Sequence, residues 1–486
     1  MASAYGCGVS DSRLLVLGAD TLDHVAARGV SVPRYDRSKL EPRIVHIGVG
    51  GFHRAHLALY THHLATNAST WGIVGLGLLP QDAAIAGALA KQDHLYTLIE
   101  KGNATPAPQI VGSIIGFVHA PDPDAPDAAN DLIASPSTAI VSLTITEAGY
   151  REPSVEQLAS GERTTFDRLV AALAVRRDRR AGPVTILSCD NLPGNGTAAR
   201  VATQAAAARV GDGLHEWVHA NCTFPNSMVD RITPMTSDAD RAWLRDTCGI
   251  HDEWPVVAEP FRQWVLEDDF AAARPRWEDD GALFTSQVHD WELYKLRLLN
   301  AGHSSIAYLC ALAGITFVDE AMGVPEVRSY LEQLLRAEAV PTLTEIVGHP
   351  REDYVVSVLE RFSNTGVRDQ IARLCIDGSA KFPTFLLPTI VRQLELGGPI
   401  GRASAALAGW ARYLGVVPHA GQSFDASAEQ AREHATRALT DPVRFLDYAE
   451  VFPAELRESE RFRKSFVEAY HRTADEGPIA SMTMHL

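Results

Sequence analysis

The chain has 486 residues, 46% of them apolar and 21% charged, which is the balance of a globular protein with two or three domains. With 60 acidic residues against 44 basic ones the formal net charge is −16. That excess repels phosphate backbones and anionic lipid, so nucleic-acid and membrane-surface partners are disfavoured. A spanning helix needs about 18 uncharged apolar residues; the nearest approach, residues 293–314, carries Lys295, Arg297, Asn300 and His303.

Residues 1–41 read as a peripheral arm. A short β-branched run at 43–47 then leads into Gly48-Val-Gly-Gly-Phe-His53. Leu57, Leu59, Tyr60 and Leu64 suit a helix, and residues 72–78 suit a second strand. Strand, glycine turn, helix, strand is the opening of a dinucleotide-binding unit. Further strands are expected at 95–100, 110–114, 139–145 and 184–189, with a surface loop at 121–127. Phe166, Leu169, Val170 and Leu173 mark a helix. It ends in Arg176-Arg-Asp-Arg-Arg180, basic residues that complement a helix C-terminus before Gly182-Pro183. The polar stretch 190–195 follows an interior strand, where open α/β sheets place ligands. Beyond residue 288 the pattern is helical, at 293–314, 325–337, 354–362, 367–375, 403–413 and 427–439. The expected fold is α/β: an N-terminal Rossmann-type dinucleotide-binding domain with its arm (1–288), then a mostly α-helical domain (289–486).

The glycine turn fills part of the dinucleotide fingerprint. Gly48 permits a tight turn, and Gly50 lets backbone approach a pyrophosphate. His53 stands where the third glycine is usual. A ribose-binding acid belongs after the second strand; the nearest is Asp82, which reads equally as that carboxylate or as a solvated helix-start residue. His53 and His56 share a helical face, but no cysteine or carboxylate joins them, so no metal is expected. The six cysteines, Cys7, Cys189, Cys222, Cys248, Cys310 and Cys375, are scattered. They suggest reduced thiols and a cytoplasmic location, in keeping with an N-terminus that lacks a signal-peptide pattern.

Residues 292–303 are the most chemically loaded part of the chain. At ~100° per residue Lys295 and His303 stand about 80° apart, with Glu292 and Asn300 at the edges of that sector. Burying an amine, an amide and an imidazole on a Leu-rich helix is costly without purpose. A desolvated lysine loses basicity and can serve as a general base.

Seven motifs in order carry a family resemblance: Ile47-Gly-Val-Gly-Gly-Phe-His-Arg-Ala-His56, Ser142-Leu-Thr-Ile-Thr-Glu147, Ser188-Cys-Asp-Asn-Leu-Pro193, Phe224-Pro-Asn-Ser-Met-Val-Asp-Arg-Ile-Thr-Pro234, Glu259-Pro-Phe-Arg-Gln-Trp-Val265, Lys295-Leu-Arg-Leu-Leu-Asn300 and Asp377-Gly-Ser-Ala-Lys-Phe-Pro383. Over nearly its whole length the chain resembles the polyol-specific long-chain dehydrogenases, the mannitol dehydrogenase family. The resemblance implies a zinc-independent, NAD-dependent and reversible oxidation of a polyol to a ketose, D-mannitol to D-fructose, by an enzyme that is a monomer. It implies that Lys295 is the catalytic base and that Asn191 and Asn300 hydrogen-bond the reacting oxygen. His303, Arg373, Lys381 and Asp230 fall at substrate-binding positions, and Glu292 at a proton-relay position. Gly48, Gly50, Gly51, Phe52, His53 and Arg54 fall at the cofactor turn, and Asp82 where the family selects NAD over NADP. The chain departs from the family at Ala301-Gly302-His303, where Gly-Ser-His is usual, and at Gln81, where relatives carry a second acid. The segment between the first helix and the second strand is also shorter. Alternatives left by the sequence are a related polyol or uronate reductase acting on D-arabinitol, sorbitol or fructuronate, and a nucleotide-binding sensor without turnover.

Overall fold

The computed structural model describes residues 14–65, 69–122, 127–418 and 428–483. Cys7, most of the expected loop at 121–127 and the first residue of the expected helix 427–439 lie outside them. The chain divides into two compact units, Met1–His289 and Asp290–Leu486.

The first unit is built on six parallel strands: β1 (Glu41–Ile47), β2 (Trp71–Gly77), β3 (Ile114–His119), β4 (Ile140–Leu143), β5 (Val184–Ser188) and β6 (Cys222–Thr223). Their order is β3-β2-β1-β4-β5-β6, the arrangement of the doubly wound dinucleotide-binding sheet. Every residue of β2, β4 and β5 is buried, as expected of a parallel sheet covered on both faces. Neighbouring residues feed opposite cores. Ile44, Ile140 and Leu187 pack in one cluster with Leu57 and Trp264, while Val45, Val141 and Ile186 pack in the other with Leu169 and Val170.

Three sequence expectations need correction here. Residues 14–40 are not a peripheral arm: Leu15–Val16 pairs in parallel with Ile250–His251, and Leu17, Val25 and Val30 are buried with Leu95, Ile99, Ile110 and Leu244. Their partners lie far along the chain, so no local pattern announced them. The apolar run 110–114 is the junction of two strands rather than one. Ala107–Val111 runs antiparallel to Tyr96–Glu100, whereas Ile114–His119 is the edge of the main sheet. The break falls at Gly112, whose carbonyl accepts from Arg37 Nε at 3.0 Å. Arg176 does more than complement its helix, Thr165–Asp178: it is buried and donates to the carbonyls of Ile133, Ser135, Ala181, Gly182 and Pro183.

The second unit is helical, and among its described residues there are isolated β-bridges but no strand. Its centre is Gly401–Val416, buried from Ala403 to Ala411 and packed against Ala301–Leu312 and Glu460–Asp475. A Cβ at Gly409 would stand 2.7 Å from the Leu309 side chain, so glycine sets how closely two of these helices approach. The expected helix at 293–314 is interrupted. Val288–Tyr294 and Ala301–Leu312 are α-helical, but Lys295–Asn300 between them is a π-helix. The expected helix at 367–375 shrinks to Ile371–Leu374, because Arg368 takes a left-handed φ of 52° and Gln370 bridges Phe317. Among the described residues no helix is long and apolar enough to cross a membrane.

Two glycine substitutions separate space from backbone freedom. At Gly196 a Cβ would lie 2.4 Å from the Pro225 carbonyl and 2.5 Å from that of Phe224, so Gly196→Ala is expected to cost roughly 1–3 kcal/mol as overpacking against rigid backbone. Gly87 sits exposed in the helix Asp82–Lys91 with nothing within 4 Å of a Cβ, so Gly87→Ala is expected to add about 0.5–1 kcal/mol. Urea midpoints moving in the same direction for both would contradict this reading.

Candidate active site

β1 delivers the chain to Gly48, which has a φ of +90°. A Cβ there would stand 2.2 Å from the Thr144 carbonyl oxygen, so only glycine fits. Gly50 caps the short helix Gly51–Ala55. A Cβ on Gly50 would meet nothing nearer than the Gly48 carbonyl at 3.8 Å, which leaves room over the turn for close approach of a phosphate. This is the fit a dinucleotide requires. His53 and Arg54 point inward. His53 is buried and stacks on His46 with ring centroids 3.4 Å apart and planes 9° from parallel. The Arg54 guanidinium donates to the Gly50 and Trp254 carbonyls. Both side chains are therefore part of the interior under the turn, and the Arg54 N–H itself donates to the Gly50 carbonyl at 3.3 Å. Phe52 stacks on the buried His56 at 4.9 Å.

Asp82 opens the helix after β2 and accepts from the Leu79 N–H at 2.9 Å. A Cβ at Gly77, the last residue of β2, would lie 2.7 Å from the Asp82 Cβ, so that glycine lets the carboxylate sit against the strand end. Asn191 is exposed just beyond β5. Its neighbour Asp190 is buried and accepts from the N–H groups of Ile145 and Thr146 and from the Tyr150 hydroxyl, which ties the ends of β4 and β5 together. Burial pushes the Asp190 carboxyl up from its ordinary value. Asp230 is buried at the end of Ser227–Asp230, in register with Gln263, whose carbonyl bonds His56 Nε2 at 3.1 Å.

In the second unit Glu292 and Lys295 are both buried, the lysine at the first position of the π-helix and Asn300 at its last. A regular α-helix would set Lys295 and Asn300 about 140° apart. A turn closed i→i+5 winds less per residue and brings them closer around the helix, so the even spacing assumed from sequence does not hold. π-Helical turns are frequent at functional sites, and no residue pattern had signalled this one.

His303 lies flat on Phe362, 3.9 Å away and 1° from parallel. Its pKa is pushed down to about 3, first by burial and then by the Arg373, Arg361 and Lys381 charges, with Asp369 opposing them. Asp369 holds Arg373 through two hydrogen bonds, one of 2.7 Å to Nε. Lys381 donates to the Leu374 carbonyl at 3.3 Å, and its pKa is lowered by burial and by Arg373. The structure thus gathers His303, Arg373 and Lys381 around Asp369, a residue the sequence reading missed. Its i, i+4 spacing to Arg373 was the available signal. Asn300 Nδ2 and His303 Nε2 are buried with no hydrogen-bond partner among the described residues, a donor-and-acceptor pair suited to a hydroxyl-bearing ligand.

Among the described residues there is no group of three or more His, Cys, Asp or Glu placed to hold a metal. The family model for the mannitol dehydrogenase Rossmann domain matches residues 42–279, and that for the mannitol dehydrogenase C-terminal domain matches 287–474. The chain belongs to the mannitol dehydrogenase family. It is 40% identical to mannitol dehydrogenase 2 of Saccharomyces cerevisiae, over 93% of this chain and 94% of the relative. It also resembles the mannitol 2-dehydrogenase of Pseudomonas fluorescens, solved as a ternary complex with NAD and D-mannitol, at 39% identity and a TM-score of 0.87 over 96% and 99% of the two chains. A D-sorbitol dehydrogenase solved without substrate matches at 31% identity and a TM-score of 0.83, over 96% of this chain and 100% of that one.

The family's first unit carries a pH liability. His46, His56 and His62 have pKa values lowered to about 3, and His53 falls well below its ordinary value, all chiefly by burial. Unfolded histidines protonate near 6.5, so stability is full above that pH and is lost as pH falls from about 6.5 toward 3, by up to ~1.4 kcal/mol per pH unit for each. Asp190, raised by burial, works in the opposite sense. The expected result is that His56→Gln flattens the pH dependence of the urea midpoint between pH 7 and 5. An unchanged slope would show that His56 titrates normally when folded.

Proposed function

We propose that this chain is an NAD-dependent polyol dehydrogenase that interconverts D-mannitol and D-fructose without a metal. The observation that carries the chemistry is the pair of unpartnered buried groups, Asn300 Nδ2 and His303 Nε2, on the helix that begins with buried Lys295. The likeness to a relative solved with NAD and D-mannitol supports the substrate and the cofactor. The Gly48–Gly51 turn and Asp82 would hold the dinucleotide, with the Asp82 carboxylate accepting from ribose hydroxyls and repelling a 2′-phosphate. NAD, when bound, supplies the acceptor for the hydride that leaves the carbinol carbon.

The chain's own residues manage the proton and the oxygen. Lys295 takes the hydroxyl proton at Nζ, and an amine is cheaper to bury than an ammonium, which favours its acting as base. The Nδ2 donors of Asn191 and Asn300 stabilise the negative charge that develops on the oxygen. Glu292 passes the proton onward. Neutral His303 orients a hydroxyl, Arg373 and Lys381 donate to the distal ones, and Asp230 is assigned a polar contact with the substrate. In the reverse direction protonated Lys295 donates to the ketose carbonyl. A base works best with a pKa near the operating pH; His303, at about 3, is too weak to take that role.

Oxidation of D-sorbitol is the second reading, favoured by the D-sorbitol dehydrogenase match. Initial rates at 340 nm with NAD and a panel of D-mannitol, D-sorbitol and D-arabinitol, with fructuronate in the reducing direction, decide between them. A cytoplasmic monomer is part of the same proposal: the five described cysteines are unbridged, as in a reducing compartment, and light scattering reads the assembly state.

Three outcomes follow from these roles. Lys295→Ala is expected to lower kcat by roughly 10²–10⁴ while NAD affinity stays within a few-fold of wild type; near-native kcat at neutral pH would require another base. Asp82→Asn is expected to narrow the NAD-over-NADP ratio of kcat/KM by about tenfold, the worth of ~1.4 kcal/mol of lost repulsion; an unchanged ratio would remove Asp82 from its role. Prolonged dialysis against EDTA is expected to leave activity intact, and loss reversed by added zinc would contradict the metal-free mechanism.

A further inference from the structure

We propose that His46 and Thr144 are positioning residues for the cofactor: with Ser142 they form a one-way hydrogen-bond chain that turns the Gly48 carbonyl inward and so aims the Val49 N–H outward at the pyrophosphate. The inference rests on the reading that a dinucleotide binds at the Gly48–Gly51 turn, and it assigns work to two motifs that the reaction itself left unused.

His46 lies on β1, two residues before the turn, and is fully buried. Its Nδ1 is 2.8 Å from Ser142 Oγ, and its Nε2 is 2.9 Å from Thr144 Oγ1 and 3.3 Å from the Gly48 carbonyl oxygen. Thr144 Oγ1 donates to that same carbonyl at 2.6 Å. A hydroxyl has one proton. Thr144 spends it on Gly48, so it must accept from His46 Nε2–H. Burial keeps the ring neutral, so Nδ1 then carries the lone pair and accepts from Ser142. The short Thr144–Gly48 bond sets the direction of the chain, Ser142 to His46, His46 to Thr144, Thr144 to Gly48, the 2.8 Å contact to His46 being closer than the 3.5 Å one from Ser142 Oγ to the Val45 carbonyl.

The consequence for the ligand is geometric. The Gly48–Val49 peptide is trans, and in a trans peptide the C=O and N–H point to opposite sides. With the carbonyl drawn toward Thr144, just beyond β4, the Val49 N–H faces the side opposite Thr144. The other wall of the turn is His53, at the position of the third fingerprint glycine. Neither of its ring nitrogens has a partner among the described residues, so it contributes a flat face against His46 rather than a hydrogen bond. Two stacked planar rings let helix and strand approach closely here, which is what a third glycine provides elsewhere.

The experiment compares Thr144→Val, which keeps the shape and removes the hydroxyl, with Thr144→Ser, which keeps the hydroxyl. Calorimetric titration of NAD into the whole protein is expected to give a Kd raised about tenfold for Thr144→Val and within about twofold of wild type for Thr144→Ser, as for loss of one well-aimed donor to a charged acceptor. Steady-state rates should place the loss in the KM for NAD and leave kcat within about twofold, because the chemistry is untouched once the cofactor is bound. A merely structural threonine would lower the melting temperature without this split. His46→Gln, which retains an N–H donor, against His46→Leu, which does not, carries the same comparison should Thr144→Val fail to fold. A folded Thr144→Val protein that binds NAD as wild type does, or a loss confined to kcat, would overturn the proposal. A wild-type protein that bound no NAD would overturn the cofactor reading itself and the inference with it.

Discussion

The Gly48 carbonyl sits between two strands that belong to opposite halves of the sheet, and much of the first unit follows from that placement. In the order β3-β2-β1-β4-β5-β6, the sequence of strands reverses between β1 and β4. A crevice opens at such a reversal because the connections leave to opposite faces. Gly48 directly follows β1, and Thr144 directly follows β4. Their contact, tight enough to forbid a Cβ, therefore forms where the topology leaves room for a ligand. Asp190 extends the same tie to the end of β5 through the Ile145 and Thr146 amides. Three strand ends are thus cross-linked by polar groups before any ligand is considered, and Asn191 follows directly on the last of them.

Both units place their unusual burial costs where chemistry is proposed. A core of this size could be filled with leucine and valine. Instead the first unit buries His46, His53 and His56 beside the glycine turn, and the second buries Glu292 and Lys295 along one helix with His303 half-buried beyond them. Polar groups taken out of water cost free energy unless partnered. Some costs are offset locally: His46 has its relay, and Arg373 has Asp369. Others are not: Asn300 Nδ2 and His303 Nε2, like the His53 ring nitrogens in the first unit, have no partner among the described residues. Groups left in that state persist when their partner is not part of the chain.

What the sequence revealed was local periodicity and composition. β1, β2, β4 and β5 were readable as β-branched apolar runs, and Gly48 as the turn after one of them. The helices flanking Lys295 were readable from leucine spacing. The misreadings share a cause. Leu15 and Ile250 pair across more than half the first unit, so the 1–41 segment looked unattached. Ile110, Val111 and Ile114 are apolar residues within a five-residue stretch that belong to two sheets, and apolarity does not say which. Val367, Ile371 and Leu374 have helical spacing, but one left-handed residue, Arg368, ends the helix that spacing implies. The π-turn at Lys295–Asn300 has no composition of its own. His53 appeared only as a missing glycine, because the stacking partner that gives it meaning sits on the preceding strand.

The π-turn bears on why a lysine rather than a histidine fits the role of base. His303 and Lys295 lie on one continuous helical run, the lysine buried and the histidine half-buried. Desolvation disfavours the protonated form of an imidazole or an amine, since each is charged when protonated, but the two groups begin from different places. An imidazole starts near 6.5 and, driven to about 3, holds no proton at neutral pH and has little appetite for one. An amine starts near 10.4 and has several units to lose before it becomes equally weak. The burial that makes His303 a neutral hydrogen-bonding group therefore removes it as a candidate base. Winding the helix i→i+5 between Lys295 and Asn300 then brings the amine closer to an amide donor than an α-turn would. In the proposed mechanism a base that removes a proton and a donor that steadies the resulting charge must address one oxygen, and the altered winding favours that arrangement within six residues.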